Sequence, residues 1–317
     1  MRAPNLTSTS FDIMGATLSR PYKIDKRLAT TALAPTDSVS LSLMRAERTC
    51  FIGCPAELMF LILAINWRCW SNANVSQMHD QSPLSNHNAS TSTTFDEEKF
   101  SDQAILRRIK DFNPEVWAKR TTAYIPGPDT KERTHLGQAY QNAILIYFHR
   151  TIQPILDNTS GDERSSKPLA SLAHSTLSLL SLIGKDHPFF KCIIWPTFIA
   201  GAELITEACF APPMFLDPSN LLEPFVPPMV NYRDLARQLL RDFWLGYRSI
   251  NVVNAVRLLE KIWHKNDQTA KMMSKEEYDA IDKSGVWSKG VLNCPDATGP
   301  NGWNDHWIGE DVDWLFV

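Results

Sequence analysis

The chain has 317 residues, 44% of them hydrophobic and 21% charged, which is enough apolar material for one large or two small cores and too much for a disordered protein. Thirty-two Lys and Arg against 35 Asp and Glu give a formal net charge of −3, so no global basic field draws it to nucleic acid or an anionic membrane. No two of the 13 glycines are separated by a single residue, which excludes a G-x-G-x-x-G dinucleotide loop and argues against a nucleotide enzyme.

Residues 1–45 are rich in Ser, Thr, Ala and Pro without a stable period and read as a poorly ordered arm ahead of a domain over 46–317. The N-terminus has no apolar stretch of signal-peptide length, and Asp12, Asp25 and Asp37 interrupt its faint likeness to a transit sequence. Secretion is not expected, so the N-x-[ST] sequons at Asn5, Asn74, Asn88 and Asn158 read as chance. From Pro55 to Trp70 the pattern is helical and apolar on most sides. Its unbroken apolar run, 58–65, is well short of the roughly 20 residues that cross a bilayer, and it predicts a central core helix with no membrane contact. Residues 71–95 are polar and small, the composition of a long surface loop.

Helices are predicted over 96–110 and around 115–120, ended by the prolines on either side of Gly127. Leu136, Tyr140, Ala143 and Tyr147 form one helical stripe, which Pro154 terminates. Leu169, Leu172, Ala173, Thr176, Leu180 and Ile183 form another, with Gly184 as its stop. Residues 188–210 read as buried and helical, with Pro196 marking a kink or a junction of two helices. The six prolines within 211–228 predict an extended connection. Two further stripes follow, Leu235–Leu239–Phe243–Tyr247 and Val252–Val256–Leu259–Trp263, with Gly246 and Ser249 as the turn between them. Ser274 and Glu277 suggest a capping box opening a last helix that ends near Gly285. No run alternates in strand fashion, so the expected architecture is all-α, an antiparallel array of about nine or ten helices.

The motifs of NTPases, zinc proteases and serine hydrolases are absent. His306 and Asp311 have the spacing of some acyltransferases, but chance supplies such a pair in a chain with eight His. Glu310, Asp311 and Asp313 read as surface carboxylates, and Arg107, Arg108 and Lys110 as a solvated helix face. Cys50, Cys54, Cys69, Cys192, Cys209 and Cys294 lack zinc-ligand spacing and read as free, mostly buried thiols, with no metal and no cofactor expected. Trp67, Trp70, Trp195, Trp244 and Trp263 lie in apolar helical surroundings and are expected in the core.

Four blocks, FIGCPAELMFLILAI at 51–65, AYQNAILIYFHR at 139–150, WPTFIAGAE at 195–203 and NAVRLLEKIW at 254–263, together resemble the fungal-specific transcription factor domain. This is the helical regulatory region that follows the zinc-cluster DNA-binding domain of many fungal regulators. The likeness covers about residues 46–317, and its overall character is similar to the arca-like branch. It marks Gly53, Cys54, Pro55, Tyr147, Trp195, Pro196, Gly201, Glu203 and Trp263 as family-motif residues of structural rather than catalytic role. The zinc cluster needs six cysteines packed into a basic segment, and none precedes Cys50. The chain is therefore either a truncated gene product or a regulator without its own DNA contact, and no sequence-specific DNA binding is expected of it. The resemblance implies a nuclear regulator, without chemistry of its own, that works through the transcription machinery, a dimer mate or a small-molecule effector. The rivals are a helical enzyme such as a terpenoid synthase, which needs Asp-rich motifs on facing helices, and a helical adaptor unrelated to transcription, which the lack of a fixed-period repeat disfavours.

Overall fold

The computed structural model describes residues 36–50, 54–79, 100–124, 130–152, 166–204, 210–211 and 230–284. Among these residues nine α-helices make up nearly all the regular structure, the all-α architecture that the helical stripes predict. The described residues up to Ile152 belong to one compact unit, and those from Ser166 onward to a second.

In the first unit, α1 (Asp37–Cys50) begins inside the segment expected as an arm. It was hidden because its buried residues, Leu43, Ala46 and Glu47, form only a narrow face in a Ser- and Arg-rich stretch. It packs on α2 (Ala56–His79), whose residues Leu58 through Ile65 are all buried, as a helix apolar on every side must be. Helix α2 continues through 71–79, where a loop was expected. Propagating a formed helix adds one hydrogen bond per residue fixed, and no Pro or Gly stands in SNANVSQMH to stop it. The rest of that expected loop, 80–95, lies outside the described residues.

Ser101 caps α3 (Asp102–Asp111), its hydroxyl accepting from the Ala104 amide at 3.2 Å. Asn113 caps α4 (Pro114–Thr122), accepting from the amides of Glu115 and Val116, with Pro114 in the first helical position. Helix α5 (Thr130–Thr151) buries all four residues of its predicted stripe and packs against α2, α3 and α4. Gly137 lets α4 approach closely, since a Cβ there would stand 3.1 Å from the Trp117 ring and 3.3 Å from Pro114. The breaks expected at Gly127 and Pro154 lie outside the described residues.

The second unit opens with α6 (Ser166–Ser181), followed by a 3-10 helix (Pro188–Cys192) and α7 (Ile194–Ala202). Pro196 therefore sits beside a junction of two helices and not in a kink. As the third residue of α7 it occupies a position whose amide has no intrahelical partner, so its missing N–H costs nothing. The helix predicted to reach 210 stops at Ala202, where the amides of Glu203 and Leu204 turn back to the carbonyls of Ala200 and Gly201. Phe210 instead lies in a two-residue strand, β1 (Phe210–Ala211), paired antiparallel with β2 (Val230–Asn231) in the register Phe210 to Asn231 and Ala211 to Val230. Beyond Ala211, the proline-rich connection lies outside the described residues.

Asn231 caps α8 (Tyr232–Tyr247), and α9 (Ile250–Ser284) follows at once. Gly246 belongs to α8, and the left-handed residue at the corner is Arg248, with φ 54°. Ser274 lies inside α9, because no breaker in the preceding turns ends the helix that a capping box would have to restart. The expected end near Gly285 lies outside the described residues.

Candidate functional site

Helix α7 is apolar on all sides, and the residues from Trp195 to Ala202 are all buried against α6, α8 and α9. A Cβ on Gly201 would stand 3.0 Å from a methyl of Leu259, so this glycine is what lets α9 lie close. The contact also brings Trp263 within reach of the backbone, and its indole N–H donates to the Gly201 carbonyl at 2.8 Å. Two motif blocks some sixty residues apart thus meet at one point. Glu203, at the C-terminal cap of α7, is 1% exposed.

Two arginines of α8 flank Trp263. Arg233 is buried, places its guanidinium 5.4 Å from the indole centroid, forks onto Asp267 at 2.9 and 3.0 Å, and donates to the Leu204 carbonyl at 3.2 Å. Arg237, 4.7 Å from the indole, grips Glu260 at 2.6 and 3.1 Å and Asp234 at 2.7 Å. The hydrogen bonds it donates to Glu260 hold its pKa above the usual arginine value. The ion pairs, the indole and the Gly201 carbonyl form one network that clamps the C-terminal end of α7 between α8 and α9.

The first unit has a counterpart around Glu47. Its buried carboxylate accepts from the Ala56 amide and the Trp117 indole, both at 2.8 Å, from the Tyr124 hydroxyl at 2.9 Å, and from Arg120 at 3.4 Å. Cys54 and Pro55 lie buried in the turn immediately before that amide, so this motif forms the entry to α2 that Glu47 caps. Burial first, then the charge of Glu47, raises the pKa of Tyr124. Tyr147 donates to Asn66 at 2.6 Å, joining α5 to α2. Gly53, the remaining motif residue, lies outside the described residues.

Burial pushes the Cys192 thiol up to about 12, which suppresses the thiolate. Cys54 and Cys192 are buried and form no disulfide among the described residues, whereas Cys209 and Cys294 lie outside the described residues, as do His306, Asp311 and the neighbouring carboxylates. His174 stacks on Tyr232 at 4.1 Å, with no hydrogen-bond partner for its buried Nε2 among the described residues, and burial lowers its pKa. Among the described residues no three His, Cys, Asp or Glu side chains gather as metal ligands, and no helix is long and apolar enough to cross a membrane. Arg107 and Lys110 are exposed on α3, while Arg108 lies over the Phe60 ring at 5.3 Å. Trp195 and Trp263 are core residues as expected, but Trp67 and Trp244 are only half-buried, because each lies where its helix turns an edge to solvent.

The sequence model of the fungal specific transcription factor domain matches residues 8–314. The chain belongs to that family. Comparison with curated proteins finds no match, and comparison with solved structures finds none either. The family is one of transcription-factor regulatory regions rather than a known enzyme family, and membership gives the chain a role in transcription regulation. For a fungal transcription factor domain the polar residues that organise the helices are informative. Glu47, Gln141, Arg233 and Asp267 were all missed in the sequence. Gln141 donates to the carbonyls of Ile109 and Phe112 at 2.7 and 3.0 Å, closing the end of α3. Each stands in a charged or amide-rich stretch that looks solvated, and only the apolar positions at helical spacing around Arg233 hint at burial.

Proposed function

We propose that this chain is a nuclear transcription-regulating domain that acts through protein partners of the transcription machinery, a dimer mate or a small-molecule effector, and has no chemistry and no sequence-specific DNA contact of its own. The observation that carries this reading is the family match over residues 8–314, nearly the whole chain. The geometry supports it: the motif residues Cys54, Pro55, Tyr147, Trp195, Pro196, Gly201, Glu203 and Trp263 are buried, and the hydrogen bonds of Tyr147 and Trp263 each join one helix to another. In this reading they set the helix packing on which a regulatory surface is displayed. A fluorescent fusion followed by transcript profiling after deletion and overexpression in a fungal host tests it. Nuclear accumulation with a defined set of changed transcripts is expected. Exclusion from the nucleus with an unchanged transcript profile would contradict it.

A further inference from the structure

The corner between α8 and α9 gathers three exposed large apolar side chains. Leu245 is 57% exposed, Tyr247 44% and Ile250 61%, within a few residues of one another. Arg241, Trp244 and Leu245 recur at helical spacing along one side of α8, with Arg248 at its C-terminal cap, while Ile250, Val253 and Arg257 share one side of α9. A Cβ on Gly246 would meet nothing within 4 Å, so the backbone there is open to close approach.

On these two helices the charges left without an ion-pair partner among the described residues, Arg241, Arg248 and Arg257, are basic. Every carboxylate of α8, and of α9 as far as Gln268, already has a cation: Asp234 and Glu260 hold Arg237, Asp242 holds Lys185, and Asp267 holds Arg233. Arg241, Arg248 and Arg257 are exposed and pair with no carboxylate among the described residues. The guanidinium of Arg248 lies 5.8 Å from the Trp244 ring centroid. Its backbone is left-handed, a conformation that glycine adopts more freely than a residue with a side chain.

We infer that this corner is a docking surface for an acidic segment of a partner protein that carries bulky apolar side chains. This rests on the regulatory reading above and specifies its partner. Carboxylates of the partner would engage Arg241, Arg248 and Arg257, and its apolar side chains would cover Leu245, Tyr247 and Ile250. A nucleic-acid backbone would satisfy the arginines and leave those three apolar groups in water, so the surface suits a peptide better than a phosphate backbone.

The test uses the full chain, a labelled synthetic 15-residue peptide alternating Asp with Leu and Trp, its Lys-for-Asp counterpart, and a random-sequence DNA duplex. Anisotropy should show binding of the acidic peptide and not of the Lys counterpart, weakening as salt rises. Arg241→Glu combined with Arg248→Glu should weaken binding about tenfold or more, and Leu245→Ser with Ile250→Ser should do the same, both without a change in melting temperature. Unweakened binding by these folded variants, no binding of the acidic peptide, or preference for the duplex would each overturn the inference. Fusion of the chain to a heterologous DNA-binding domain at a reporter separates the two claims. If the wild type shifts the reporter and the charge-reversed variant shifts it equally, the surface is wrong and the regulatory reading stands. If the wild-type fusion has no effect, the regulatory reading itself fails.

Discussion

The Trp263 indole donates to the carbonyl of Gly201 across the α7–α9 contact, at 2.8 Å, with both residues buried. Trp263→Phe keeps an aromatic ring but removes this donor and part of the surface beneath Arg233 and Arg237. It should destabilise the protein by about 1–3 kcal/mol in denaturant titrations. The carbonyl still accepts from the Leu204 amide, which keeps the cost below that of a fully orphaned group.

The same contact makes a steric prediction. Gly201→Val adds atoms where Leu259 already stands 3.0 Å from the first of them, and should cost about 1–3 kcal/mol. Leu259→Ala in that background should recover part of the loss. A double-mutant cycle that is strictly additive would show that the two side chains do not compete for one space.

Glu47→Ala removes the acceptor for an amide, an indole and a phenol at once and should destabilise by about 3 kcal/mol, with little of this from Arg120, which is largely exposed. Tyr124 adds a pH signature. Its folded pKa is raised above 10.0, so its contribution is fully present below that pH and is lost as pH rises through the higher folded value. Tyr124→Phe should flatten the alkaline fall in melting temperature, and an alkaline limb identical in mutant and wild type would contradict the assignment.

Much of the fold was legible because burial writes a period into apolar residues. The stripe Leu136–Tyr140–Ala143–Tyr147 and the all-apolar segments that became α2 and α7 mark the cores directly. Two kinds of feature were not legible. Helix ends that depend on cooperativity, such as α2 running to His79 and α9 running through Ser274, carry no local signal when breakers are lacking. Buried charges such as Glu47 and Arg233 look like solvent-facing ones until their distant partners are known. Arg248 inverts the local rule outright, since Gly246, two positions earlier, was the natural candidate for the turn.

His174 predicts an acid limb. Burial lowers its folded pKa below 6.5, so its contribution is fully present above that pH and is lost as pH falls through the lower folded value. His174→Phe preserves a ring against Tyr232 and should make melting less sensitive to pH between about 7 and 5. Equal slopes for mutant and wild type over that window would rule out His174 as the source.

Glu203, 1% exposed at the end of α7, should cost roughly 1–3 kcal/mol when replaced by Ala, because a buried carboxyl leaves its partner unsatisfied when removed. An unchanged midpoint and slope in chemical denaturation would refute its structural role. A stable Glu203→Ala protein that loses its transcriptional response would instead place this residue at an effector.

The most direct measurement of the central claim is the output of a reporter gene when this chain is fused to an unrelated DNA-binding domain in a fungal host, compared with the DNA-binding domain alone. The account predicts a reproducible change in transcript level that the folded wild-type chain produces and that Gly201→Val, by loosening the α7–α9 contact, diminishes. A properly folded, nuclear fusion that leaves the reporter at the level of the DNA-binding domain alone would contradict it.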